Sequence, residues 1–326
     1  MADSRKSLTP RFVAYCCTHT ADDADHHQRK PPFKDWLSML MLTEPGQRVT
    51  HVNLGQWWWA PDKYNGDAYN MVFLNDDEWH EPGGDPEQLN GRIYTEVKQL
   101  QAKGVKVLTQ LTFFWGSNGF GQEGEFNEHL YILLHTMLSQ TGFDGVDLDV
   151  EDSATDNAKV TALIKRLKKD FGPQFLITMA PGGNELVVDG GSLSHVNYRE
   201  LYEKIGDDID WFNVQLYNGW GKLSLHDFDR FVKAGGDKPF YPPHKIVMSV
   251  ASNFQNTNSG DWTDGATIEK HLPEILAKYP DMGGLSCWEW YNATWTDVPP
   301  KTIIEHPEKW FQKAYKVLRG GAVTEA

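Results

Sequence analysis

The 326-residue chain reads as an α/β protein, a single-domain (β/α)8 TIM barrel occupying residues 1–326. Three observations predict this. Eight short β-type runs recur at near-regular intervals, amphipathic helical stripes lie between them, and one run carries carboxylates on alternate residues. No Pro/Ser/Gly linker or internal repeat divides the chain.

The β-type runs are 12–17, 51–57, 106–113, 143–151, 175–180, 211–217, 245–250 and 284–290, with starts 39, 55, 37, 32, 36, 34 and 39 residues apart. Spacings of about 30–40 residues suit a strand followed by a helix, and eight such units close a barrel. Between the runs, Val160, Leu163, Ile164, Leu167 and Phe171 fall on one helical face. Ile268, Leu272, Ile275, Leu276 and Tyr279 form a second stripe, and Trp310, Phe311, Ala314 and Leu318 a third. Phe171-Gly172-Pro173 supplies a helix stop.

The long second spacing holds Trp57, Trp58, Trp59, Tyr64, Tyr69 and Trp79 among turn-forming residues. An aromatic βα loop at about 57–90 is therefore expected at the C-terminal mouth, where barrels bind their ligands. A hydrophobic cluster beneath a long loop is the alternative.

Charge and composition exclude several classes. A net charge of −14 argues against nucleic-acid partners. No stretch approaches eighteen apolar residues, so no membrane span is expected. The N-terminal segment has no apolar core of the kind an export signal needs, and three cysteines make no disulfide framework. The expectation is a cytoplasmic protein, or a secreted one if a signal has been removed. Twelve histidines show no metal-ligand spacing, and no cofactor motif occurs. Gly182-Gly183 and Gly190-Gly191 lack a phosphate-loop context and read as turns, and Asn292-Ala293-Thr294 fits a glycosylation sequon that matters only after secretion. Oligomeric state is not legible.

The sharpest feature is Asp144-Gly145-Val146-Asp147-Leu148-Asp149-Val150-Glu151. In a strand, Asp147, Asp149 and Glu151 share one face and Val146, Leu148 and Val150 the other. Stacking three carboxyls inside a barrel is unfavourable unless they share protons or accept hydrogen bonds. A calcium loop would use polar, Gly-containing spacers instead of Val and Leu.

This segment resembles the fourth-strand signature of glycoside hydrolase family 18, the chitinases and endo-β-N-acetylglucosaminidases. The likeness continues in Ile177-Thr178-Met179-Ala180-Pro181, Gln215-Leu216-Tyr217-Asn218 and Gly283-Gly284-Leu285-Ser286-Cys287-Trp288. It departs at Leu111-Thr112-Phe113-Phe114-Trp115-Gly116, where a small, Gly-rich serine motif is usual. The resemblance implies that Glu151 is the proton donor and that Asp149 steers the substrate's acetamido group. It further implies that Asp147 shares the proton of Asp149 and that Tyr217 donates to the acetamido oxygen. Gln215, Trp288, Asp144, Asn218 and Trp57 are the expected substrate-binding residues. Three activities fit: an endo-β-N-acetylglucosaminidase acting on N-glycans, a chitinase, and a sugar-binding barrel without turnover. The missing insert between the last two runs, together with the 171–181 and 208–215 segments, most resembles the fungal endo-β-N-acetylglucosaminidases.

Overall fold

A computed structural model describes residues 10–17, 38–60, 71–74, 77–78, 89–113, 128–152, 155–187, 193–258, 260–296 and 307–321. Eight strands run parallel: β1 (Arg11–Cys16), β2 (His51–Ala60), β5 (Lys106–Phe113), β6 (Gly145–Val150), β7 (Leu176–Met179), β8 (Trp211–Gln215), β9 (Ile246–Ala251) and β10 (Gly284–Trp288). Each pairs with the next, and β10 returns to β1, which closes the barrel. Closure needs a glycine. Gly284 takes φ 139°, and a Cβ there would lie 2.0 Å from the Arg11 carbonyl oxygen.

Seven helices cover the barrel among the described residues: α1 (Leu89–Ala102), α2 (Glu128–Thr141), α3 (Asn157–Phe171), α4 (Tyr198–Ile205), α5 (Leu225–Val232), α6 (Gly265–Lys278) and α7 (Glu308–Leu318). The sequence dictates α3 locally. Asp156 caps it by accepting from the Lys159 N–H, and Gly172 ends it at φ 87°. Val160, Leu163, Ile164 and Leu167 bury its inner face. The same logic seats Ile268, Leu272 and Ile275 of α6 and Trp310, Phe311 and Ala314 of α7 in the core between barrel and helices.

Inside the barrel the layers differ in chemistry. Val13, Leu108, Trp211 and Val247 form an apolar floor. Arg11 lies 4.3 Å above the Trp211 ring and donates to the His244 carbonyl at 2.9 Å, which seals that end. Higher up the interior turns polar, with Asn53, Gln110, Asp147, Thr178, Asn213, Ser249 and Ser286 all buried. This gradient leaves the C-terminal mouth as the end where polar ligands can be received.

The long second connection differs from expectation. β2 continues through Trp57 to Ala60 and pairs antiparallel with β3 (Met71–Leu74), which pairs with β4 (Asp77–Glu78). Part of the expected loop is thus sheet. Tyr64, Tyr69 and Trp79 lie outside the described residues, as do Phe114, Trp115 and Gly116. Trp57 is 1% exposed and packs in the main core, where the alternative reading of a hydrophobic cluster would put it.

Candidate active site

β6 delivers its carboxyls as its alternation dictates. Val146, Leu148 and Val150 pack outward in the core, while Asp147 and Asp149 are buried within the barrel and Glu151 stands half-buried where the strand ends. Asp147 Oδ2 accepts from the Tyr15 hydroxyl at 2.6 Å, and Oδ1 accepts from Asn213 Nδ2 at 3.0 Å and from the Thr178 hydroxyl. One pleat up, Asp149 Oδ2 accepts from Gln110 Nε2 at 2.9 Å and Oδ1 from Gln215 Nε2 at 3.1 Å. Gln215 also donates to the Ala180 carbonyl at 2.7 Å.

Burial pushes all three carboxyls above their usual range. For Asp147 the hydrogen bonds from Thr178, Tyr15 and Asn213 oppose that rise. Asp149 is pushed well up, by burial first and then by the charges of Glu151 and Asp147. Glu151 rises through burial, with the Gln215 amide pulling it back. Carboxyls stacked this way keep protons that free ones would lose. The Tyr217 phenol is likewise held protonated, by burial and by Asp149 and Glu151.

Above Asp147 lies a cavity of about 290 Å³. Asp149, Glu151, Gln215, Tyr217, Asn218 and Trp288 all face it. Trp288 stands edge-on to Tyr15, with ring centroids 5.5 Å apart. Asn218 has φ 54°, its N–H donates to Asp261 at 2.8 Å, and its Oδ1 accepts from the Asn258 N–H at 2.8 Å. It thereby ties the loop after β8 to the loop after β9. Among the described residues no group of His, Cys, Asp or Glu could hold a metal ion.

Asp144 is elsewhere. Its carboxylate accepts from Lys106 Nζ at 2.7 Å, from the Val107 N–H at 2.9 Å and from Gln101 Nε2 at 3.0 Å, at the entry to β6. Five residues of extended chain, about 16 Å, separate it from Asp149. It joins β5 to β6, away from the cavity that holds Asp149 and Glu151.

Sequence reasoning missed Tyr15, Gln110 and Trp220, each on the cavity wall. The Trp220 ring is half-buried, 5.8 Å from that of Tyr217. It rests on Gly182, where a Cβ would come within 3.1 Å of its Cγ. The Gly182-Gly183 pair thus has a use: it lets the loop after β8 settle on the turn after β7.

A (β/α)8 barrel with stacked, buried carboxyls beneath a mouth lined by Tyr and Trp is the architecture of a glycoside hydrolase. The family model for glycosyl hydrolases family 18 matches residues 46–311, and the chain belongs to that family. It is similar to the solved structure of a fungal endo-β-N-acetylglucosaminidase of this family, with TM-score 0.76 and 28% identity over 96% of this chain and 100% of that one. It is also similar to the chitinase ChiC from Aspergillus fumigatus, with TM-score 0.70 and 28% identity over 92% of this chain and 96% of that one. Among curated proteins, Chitinase 2 of Rhizopus oligosporus is 27% identical over 62% of this chain and 38% of its own length. The chain therefore spans about two fifths of the length of such curated relatives.

Proposed function

We propose that this barrel works as one domain, an endo-β-N-acetylglucosaminidase that hydrolyses the β-1,4 bond of the N,N'-diacetylchitobiose core of N-glycans. The observation that carries this reading is the end-to-end correspondence with the fungal endo-β-N-acetylglucosaminidase, 96% of one chain on 100% of the other. A second observation supports it. Between β9 and β10 the described chain holds only a short 3-10 turn and α6, so no inserted domain walls that side of the cleft. A branched glycan needs such room.

The chemistry follows from the proton inventory. Glu151, whose carboxyl burial pushes upward, protonates the oxygen leaving the anomeric carbon and afterwards takes a proton from water. The nucleophile is the substrate's own 2-acetamido oxygen, a tethered group with high effective concentration. Asp149 holds the acetamido N–H and offsets the positive charge of the oxazolinium that forms, with Asp147 below it sharing the proton. Tyr217, protonated and facing the cavity, donates to the acetamido oxygen. Trp288 floors the reacting ring, and Trp220 offers an indole face to a neighbouring sugar.

The second reading is a chitinase with the same chemistry, favoured by the names of the curated relatives and by the likeness to ChiC. Incubation with a glycoprotein and with an N-acetylglucosamine oligomer, followed by mass spectrometry, separates the two. Protein retaining one N-acetylglucosamine per site supports the proposal. Cleavage of the oligomer with the glycoprotein untouched overturns it.

A further inference from the structure

The turn after β7 carries a carboxylate that no step above uses. Glu185 is 1% exposed, within the 3-10 turn Gly183–Leu186. Its Oε2 accepts from the Gly182 N–H at 2.9 Å and its Oε1 from the Leu193 N–H at 3.4 Å. Both contacts lead to the site. Leu193 lines the cavity that holds Glu151. Gly182 bridges to Gln215, whose own N–H donates to the Pro181 carbonyl at 2.9 Å and whose side chain reaches Asp149. One buried carboxylate thus fixes the backbone on which Gln215 leans.

We propose that Glu185 is a positioning residue: it clamps the turn that keeps Gln215 on Asp149. The titratable groups ranged about it are Glu151 and Asp149 from β6 and Tyr198 from α4. Opposed charges of one sign in a poorly solvated region disfavour a second ionisation. Burial pushes the Glu185 carboxyl up to about 7, against the backbone N–H groups that pull it down.

The inference rests on Glu151 being the proton donor, so Glu151→Gln is assayed beside the Glu185 variants. The readout is the split between kcat and KM of folded enzyme on a glycopeptide or an N-acetylglucosamine oligomer, whichever turns over, beside the melting temperature. Glu185→Gln removes the charge and keeps one acceptor. One of the two N–H groups it clamps then lacks an acceptor, so kcat is expected to fall several-fold with KM little changed. Glu185→Asp keeps both acceptors but shortens the clamp, so its kcat falls several-fold as well. A purely structural Glu185 would lower the melting temperature of both variants and leave the kcat of folded enzyme unmoved, which overturns the proposal. If Glu185→Gln fails to fold, wild-type kcat in Glu185→Asp overturns it alone. An active Glu151→Gln faults the reading of the acid instead, and the proposal falls with it.

Discussion

Gln215 donates one side-chain amide to two acceptors, Asp149 Oδ1 at 3.1 Å and the Ala180 carbonyl at 2.7 Å. A carboxyl that must turn an acetamido group needs a fixed orientation, and here Gln215 on one side and Gln110 on the other supply it. Replacing Gln215 with Leu leaves both acceptors short of a donor. Stability should fall by about 1–3 kcal/mol, and kcat should drop more than KM rises. Denaturant unfolding and steady-state kinetics check the pair of effects; unchanged kcat in folded protein contradicts the role.

Removing the donor is a cleaner cut. Glu151→Gln keeps shape and is expected to lose roughly 10²–10⁴-fold in turnover, with a melting temperature no lower than wild type. Wild-type turnover would exclude Glu151 as the acid.

Three substitutions separate packing from binding. Trp57→Ala empties a fully buried site and should cost about 3–5 kcal/mol of stability, with KM of the folded fraction unchanged. Asp144→Ala should likewise act on stability alone, since its partners are Lys106, Gln101 and the Val107 N–H. Trp220→Ala should do the reverse, raising KM with little change in melting temperature, because its ring faces the cavity.

Stability should also depend on pH in a stated direction. The Glu185 carboxyl sits at about 7 in the folded protein against an ordinary 4.5, so the folded state binds its proton more tightly than the unfolded state. That contribution is complete below about 4.5 and is lost as pH rises through about 7. Urea midpoints measured across this window should fall less steeply in Glu185→Gln than in wild type. Parallel slopes would contradict the shift.

Much of this was legible because strands of a barrel repeat at a regular interval and alternate strictly. The run at 106–113 coincides with β5, and the alternation of Asp147, Asp149 and Glu151 gave their common face directly. What stayed hidden depends on register between distant strands. Tyr15 reaches Asp147 across 132 residues of sequence, and Gln215 reaches Asp149 across 66. Nothing local to either tyrosine or glutamine marks that meeting. At Trp57 turn-rich neighbours suggested a loop, but pairing with β3 extends the strand, and the indole lies in the core. Asp144 belongs to the same motif as the site residues, and only the length of an extended strand puts it at the other end of the barrel. Glu185 carries no motif at all; its burial and its two backbone partners exist only in the folded turn.

The central claim is that Asp149 governs participation of the substrate's acetamido group. Asp149→Asn removes the charge that offsets the oxazolinium, so its formation should slow by roughly 10²–10³-fold. A synthetic sugar oxazoline bypasses that half of the reaction, and Glu151 remains to activate an acceptor hydroxyl. The measurement is product yield over time from an oxazoline donor and an N-acetylglucosamine acceptor, wild type beside Asp149→Asn. The account predicts that the variant forms product and that the product persists, whereas wild type cleaves it again. Equal decay in both enzymes would contradict it.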